Sequence, residues 1–289
     1  MRIATYTNAR GDSLTFRPGS PFTLSDVQGL GDVDATVQLQ QAPYQDGGSY
    51  IDSLLSPRAI SFRVWIDGTD DSDISRKRSQ LSALFNPKLG PGVFRYQYGD
   101  QVRQIAAVAE HVPSFPTGFD SRGRRHQVAV VDLLCPDPYW RSLTVTEEPM
   151  AAFVELFDFP SDHWEVGADG DLYFEMGIEG HTRTFMNNGD AEMPIKITIR
   201  GPAVNPKLTN LTTGEFIRIR RTLTASDVLV IDTEDSSVQL NGEDAFPWID
   251  LSSAFWKLAI GSNDVQYTAD AGQENATLTI EWQERYNAV

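Results

Sequence analysis

The residues best placed to do chemistry begin with Gly11-Asp12-Ser13-Leu14-Thr15, which matches the nucleophile block of GDSL-type hydrolases. That chemistry needs an apolar strand entering the serine, oxyanion donors, and a later Asp-x-x-His to supply the base. None of the four histidines meets the last condition: the residues three before His111, His126, His163 and His181 are Val108, Gly123, Pro160 and Ile178. A hairpin turn over Asn8-Ala9-Arg10-Gly11-Asp12 explains the same residues, and also the integrin-type tripeptide Arg10-Gly11-Asp12. The carboxylates of Asp67, Asp70, Asp71 and Asp73 fail as an EF-hand loop, with Gly68 at its second position and Arg78 at its twelfth, and read as helix capping and solvation. Asp232, Glu234 and Asp235 read as a solvated turn rather than a Ca²⁺ loop. One cysteine, Cys135, allows neither an internal disulfide nor a cysteine-based zinc site, and no glycine-rich phosphate loop occurs. The expectation is a protein with no catalytic residues, no metal and no cofactor.

Two kinds of side chain remain as binding candidates. Arg76, Lys77 and Arg78 fall early in an expected helix, where they either solvate its acidic start or make an intersubunit contact. Arg122-Gly123-Arg124-Arg125-His126 and Arg218, Arg220 and Arg221 are further basic groups, read as solvated or paired with acidic neighbours. Among the aromatics, Trp256 and Trp282 alternate like buried strand residues, whereas Trp164 and Trp248 lie in loop-like stretches and are the candidates to face a ligand such as a saccharide.

The elements that must position these residues are mostly short strands. Stretches 2–7, 13–16, 35–41, 59–66, 92–98 and 102–108 are rich in β-branched or aromatic residues and bounded by turn formers. The most apolar, 126–135 (HQVAVVDLLC), reads as central in a sheet. One segment differs: after Asp70–Asp73, the spacing of Ile74, Leu81, Leu84 and Phe85 and the stop at Pro87 predict a three-turn helix. Pro136 and Pro138 end the central strand and place a domain boundary near residue 143. Beyond it, strands are expected at 151–157, 172–176, 182–186, 194–200, 206–211, 215–219, 227–232, 237–240, 255–260, 264–268 and 276–283, with hairpin turns at Thr213-Gly214 and Asn241-Gly242. No convincing helix interrupts them, so the second half reads as an all-β sandwich or jelly roll.

Charge separates the halves. Of 289 residues, 24 are Lys or Arg and 40 are Asp or Glu, a formal net charge of −16. Residues 1–143 hold 15 of each sign; residues 144–289 hold 9 basic and 25 acidic. Such a balance opposes specific nucleic-acid binding and association with anionic membranes. No apolar run approaches a membrane span, and the start of the chain has no secretory signal pattern.

In succession, Leu134-Cys135-Pro136-Asp137-Pro138-Tyr139-Trp140, Asn187-Asn188-Gly189-Asp190-Ala191, Ile199-Arg200-Gly201-Pro202, Asn205-Pro206, Thr213-Gly214, Val230-Ile231-Asp232-Thr233, Phe255-Trp256-Lys257-Leu258 and Gly261-Ser262-Asn263 occur in that order. The succession, from about residue 2 to residue 286, resembles the distal tail protein (Dit) family of bacteriophages with long, non-contractile tails. The resemblance implies a mainly β chain with a β-sandwich-like belt domain, 1–143, carrying one α-helix and a hairpin, and a galectin-like jelly roll, 144–289. It implies a structural virion protein: a hexameric ring at the distal end of the tail, joining the tail tube protein to the tail-tip hub or a tail-associated fibre protein and to the adsorption apparatus. Synthesis in the host cytoplasm and incorporation at the virion tail tip follow from it, and it transfers no catalytic residue. An alternative role is that of a carbohydrate-binding adhesin, recognising host cell-wall saccharide through the second domain. Residues 158–171 form a longer acidic and aromatic stretch than a minimal jelly-roll turn requires.

Overall fold

The computed structural model describes residues 2–150, 182–272 and 275–289. The chain divides into two compact units, one formed by Met1–Leu143 with Arg285–Val289 and the other by Thr144–Glu284.

In the first unit the strands are β1 (Arg2–Thr7), β2 (Ser13–Phe16), β3 (Phe22–Gln28), β4 (Ala35–Gln40), β5 (Ser49–Leu55), β6 (Arg58–Asp67), β7 (Gly92–Tyr98), β8 (Gln101–Ala109), β9 (His126–Cys135) and β10 (Trp140–Arg141). The main sheet runs β2-β1-β7-β8-β9-β6-β3, so the apolar β9 is internal as expected. β6 and β9 pair antiparallel with Ile60 opposite Leu133, Phe62 opposite Val131 and Val64 opposite Ala129. A one-residue slip would turn every one of these side chains to the opposite face. Three strands of this unit were not expected: β3, β5 and the two-residue β10, too short to show a pattern. In β3 a register shift between Leu24 and Asp26 breaks the alternation that marks a strand, and β5 buries almost nothing, so its pattern carries no core signal.

The helix α1 runs Asp71–Leu84, fourteen residues rather than three turns, and starts on the Asp70 carboxylate, which accepts from the Asp73 backbone N–H. Ile74, Leu81 and Leu84 face the core. Phe85, just past its end, stacks on Tyr6 at 4.5 Å and packs on Phe62 at 6.0 Å, joining an aromatic cluster with Phe16 and Phe94. Such pairs add about 0.5–1.5 kcal/mol each beyond burial.

The last residues of the chain close this unit, although the sequence reading assigned them to the second domain. Arg285–Tyr286 pair antiparallel with β10. Arg58, 1% exposed, donates to the carbonyls of Pro138 at 2.8 Å, Gly29 at 3.0 Å and Asn287 at 2.6 Å. Gly29 is required there: its φ is +85°, and a Cβ would lie 2.0 Å from the Ala59 carbonyl oxygen. Asp137 takes Arg141 at 2.6 Å and Arg285 at 3.3 Å.

The second unit contains β11 (Thr146–Pro149), β12 (Thr182–Asn187), β13 (Ile195–Arg200), β14 (Ala203–Val204), β15 (Lys207–Asn210), β16 (Phe216–Arg218), β17 (Thr222–Leu223), β18 (Val228–Asp232), β19 (Ser237–Leu240), β20 (Glu243–Asp244), β21 (Gly261–Thr268) and β22 (Thr277–Trp282). Its sheets run β11-β22-β13-β18-β19-β20 and β12-β21-β15-β16, with β14 and β17 as a separate pair. Inward residues of both larger sheets, among them Ile197, Ile231 and Ile280 from one and Leu208, Val265 and Phe185 from the other, form one core. The β19–β20 turn is built by Asn241 and Gly242 at φ +52° and +85°, the pair of left-handed residues that a two-residue hairpin demands. Residues 255–260, expected as a strand, are a correction. Trp256 and Leu258 are buried in alternation, but Leu258 alone pairs, through a bridge to Met193, and the Ala259 N–H is taken by the Asn263 side chain. The expected strands 151–157 and 172–176 and the stretch 158–171 lie outside the described residues.

Truncating Arg58 leaves three inward carbonyls without their donor. Arg58→Ala is expected to lower stability by about 3 kcal/mol, read as an earlier urea midpoint. Deletion of residues 285–289 is expected to shift the midpoint in the same direction.

Candidate functional site

The pentapeptide Gly11–Thr15 is a hairpin and the start of a strand. Thr7 pairs with Ser13, Gly11 has φ +88°, and the Asn8 side-chain oxygen accepts from the Arg10 and Asp12 N–H groups, both at 3.0 Å. The Ser13 hydroxyl accepts from Thr7 Oγ1 at 3.2 Å, and the Arg10 guanidinium closes on Asp12 at 2.9 Å. The serine hydroxyl is thus engaged across the hairpin by Thr7, and the tripeptide's two charges satisfy each other.

The acidic run before α1 is a cap. Asp73 accepts from Arg76 at 2.6 Å, Lys77 at 2.8 Å and the Thr69 N–H at 3.1 Å. Two of the three proposed contact cations are therefore engaged within their own helix, although Arg76 remains 78% exposed. The third, Arg78, lies over the Phe115 ring at 4.5 Å. The hydrogen bonds from Lys77, then Arg76 and Thr69, hold the Asp73 carboxyl well below the usual carboxylate range. Asp232 likewise turns inward on its own loop, accepting from the Glu234 N–H at 2.8 Å. Among the described residues, no group of three or more His, Cys, Asp or Glu side chains is placed to hold a metal.

In the second unit the basic group is paired. Arg218 reaches Asp270 at 2.9 Å, Arg220 reaches Asp250 at 2.8 Å, and Arg221 lies 4.2 Å over the Trp248 ring. Trp248 is half-buried in a short 3₁₀ turn, Phe246–Trp248, packed against the core. One indole face thus already carries a cation. Trp164, the companion candidate, lies outside the described residues.

The feature that residue chemistry did not single out is the β4–β5 hairpin. Neither strand joins another sheet, and no side chain of either belongs to a core. Leu39 stands opposite Tyr50 and Val37 opposite Ser53. Val37, Leu39, Tyr50, Ile51 and Leu54 are 53–65% exposed, and Tyr44 at the tip is fully so. An isolated two-stranded hairpin is at best marginally stable in water, and a cluster of exposed large apolar residues marks an interaction surface. The alternation in ATVQLQ was the available signal; its meaning depended on knowing that nothing within the unit covers it.

Two family models match the sequence, one in each unit. Residues 9–130 match the phage tail protein RIFT-related domain, and residues 188–286 match the siphovirus-type tail component, C-terminal domain. The chain belongs to the distal tail protein family. No curated protein sequence matches it. Among solved structures, the Dit protein (gp 19.1) of phage SPP1, described as a paradigm of the hub adsorption apparatus in phages that infect Gram-positive bacteria, superposes with a TM-score of 0.69. The identity is 13%, and the match covers 99% of both chains. Chains of the phage P2 baseplate in its activated conformation match with TM-scores of 0.54 with calcium and 0.51 with strontium. Their identities are 12% and 13%, over 100% of both chains and over 97% of this chain and 98% of that one. As a Dit-family member the chain is a structural tail and baseplate component and not an enzyme, and the mainly β, two-unit fold is the family's.

Because the folded-state pKa of Asp73 lies below its unfolded value, its contribution to stability is present above about pH 4 and is lost as pH falls. Asp73→Asn is expected to lower stability at pH 7 and to flatten the acid limb of a denaturation series. Parallel pH curves for both proteins would remove Asp73 as its source.

Proposed function

We propose that six copies of this chain close into a ring through the first unit, the belt, at the distal end of a phage tail. There the ring joins the tail tube to the tip hub and the adsorption apparatus, and the second unit, a galectin-like sandwich, serves as the outward platform. The observation that carries this reading is the β4–β5 hairpin, whose apolar side chains have no cover within their own unit. A closed ring repeats one heterologous contact, so an apolar element on each copy finds its cover on the next and leaves none exposed.

Charge supports the same arrangement. With Arg285 counted in the unit where it folds, the first unit carries +1 and the second −17. A contact repeated around a ring sums any repulsion it contains, and a near-neutral belt avoids that sum. The acidity is confined to the unit read as outward, where it favours solubility. The SPP1 relative is described as part of a hub adsorption apparatus and the P2 relatives as baseplate chains. A primary role as a saccharide-binding adhesin has less support, since Arg221 occupies one face of Trp248.

Mass photometry and negative-stain images of the full chain test the ring. Six-copy particles with a bore wide enough for duplex DNA are expected, and Val37→Asp with Leu39→Asp is expected to abolish them. Both sites are exposed, so stability should stay within about 0.5 kcal/mol of the parent. Unchanged rings in the double variant would overturn the hairpin's role.

A further inference from the structure

Between β8 and β9 the chain makes an excursion over residues 110–125. It is held to the unit along its length. Ser114 bridges Val130 of β9, and the His111 ring lies 3.0 Å from the Asp132 carboxylate. Gln127 of β9, 1% exposed, donates its side-chain amide to the carbonyls of Pro116 at 2.8 Å and Ser121 at 3.2 Å. The Val128 N–H reaches Ser121 O at 2.8 Å, and Arg78 of α1 covers Phe115. Near its end, Gly123 donates to His126 O at 2.9 Å, and a Cβ on that glycine would come within 2.3 Å of the His126 ring, which itself stacks on Trp65 at 4.7 Å.

What this anchored loop presents is unusual for a solvated turn. Phe119 is 97% exposed, and Arg122, Arg124 and Arg125 are exposed beside it. Among the described residues none of the three arginines has a carboxylate partner, unlike Arg76, Arg218 and Arg220. Phe and Arg are the types enriched at the centres of protein interfaces, and the guanidinium fork takes a carboxylate with two parallel hydrogen bonds. Holding the loop in place beforehand lowers the entropy lost on docking.

We infer that residues 117–125 form a contact surface for a second copy of this chain, Phe119 entering an apolar recess and the three arginines meeting carboxylates around it. The inference rests on the self-assembly reading above. The occupant follows from charge: the first unit carries +1 whereas Thr144–Glu284 carries −17, so the second unit of a neighbouring copy supplies the carboxylates that these arginines can meet.

The test uses the full chain, as wild type, Phe119→Ser and R122E/R124E/R125E, followed by mass photometry at about 0.05 M and about 0.5 M salt. Wild type is expected to assemble. Both loop variants should need about tenfold more protein, or greater, to do so, with circular dichroism and melting unchanged, and high salt should weaken wild type more than the triple variant. Variants that assemble at the wild-type concentration overturn the loop contact and leave self-assembly standing. A wild type that stays monomeric at both salts overturns both. Retention of wild type but not the triple variant on duplex DNA or heparin, with assembly equal in both, assigns the arginines to a polyanion and also overturns the inference.

Discussion

Arg58 is the interaction on which the first unit depends. A buried guanidinium is tolerated when its donors meet acceptors, and here three carbonyls from three distant parts of the chain meet it, at Gly29, Pro138 and Asn287. Burial pushes its pKa down from the ordinary arginine value, which still leaves it charged. The same node joins two segments of the first unit that flank the second unit in sequence. The Pro138 carbonyl precedes the departure at 143, and Asn287 follows the return at 284. Around it, Trp140 donates to Leu30 O at 3.1 Å, and Arg103 covers the Tyr286 ring and donates to Ala288 O.

With its core closed in this way, the first unit keeps two elements whose large apolar or charged side chains stay uncovered: an apolar hairpin at residues 35–55 and an arginine-bearing loop at 117–125. A monomer under selection for solubility alone has no use for Leu39, Tyr50 or Phe119 in water. Their retention in a near-neutral unit, while Arg218 and Arg220 of the acidic unit are ion-paired, fits a division between a part that touches its neighbours and a part that meets solvent. The candidate nucleophile, the acidic run and the basic group of the second unit each resolve into a local turn, a cap or an ion pair.

Much of the architecture was legible along the chain. Strands whose faces alternate between core and solvent, such as β1, β7 and β9, could be bounded to the residue, and the helix declared itself through Asp70, its apolar face and Pro87. The failures have a common cause. β3 is bulged, β5 is exposed on both faces, and 255–260 alternates without a ladder, so burial pattern and hydrogen-bond pairing part company in all three. Arg76 and Lys77 already stood beside the acidic start of their helix in the sequence, and the helix turn brings both onto the Asp73 carboxylate.

The sequence by itself determined the mainly β character, the division near residue 143, the single helix and the split of charge between neutral and acidic parts. Each of these is a local or additive property of residue types. Only the tertiary structure decided which cations are spent internally, that residues 285–289 belong with the first unit, and that Val37, Leu39, Tyr50 and Phe119 are left uncovered. Those are relations between segments up to 229 positions apart, as from Arg58 to Asn287. Whether an apolar or charged side chain is satisfied depends on what the fold brings to it, not on its neighbours along the chain.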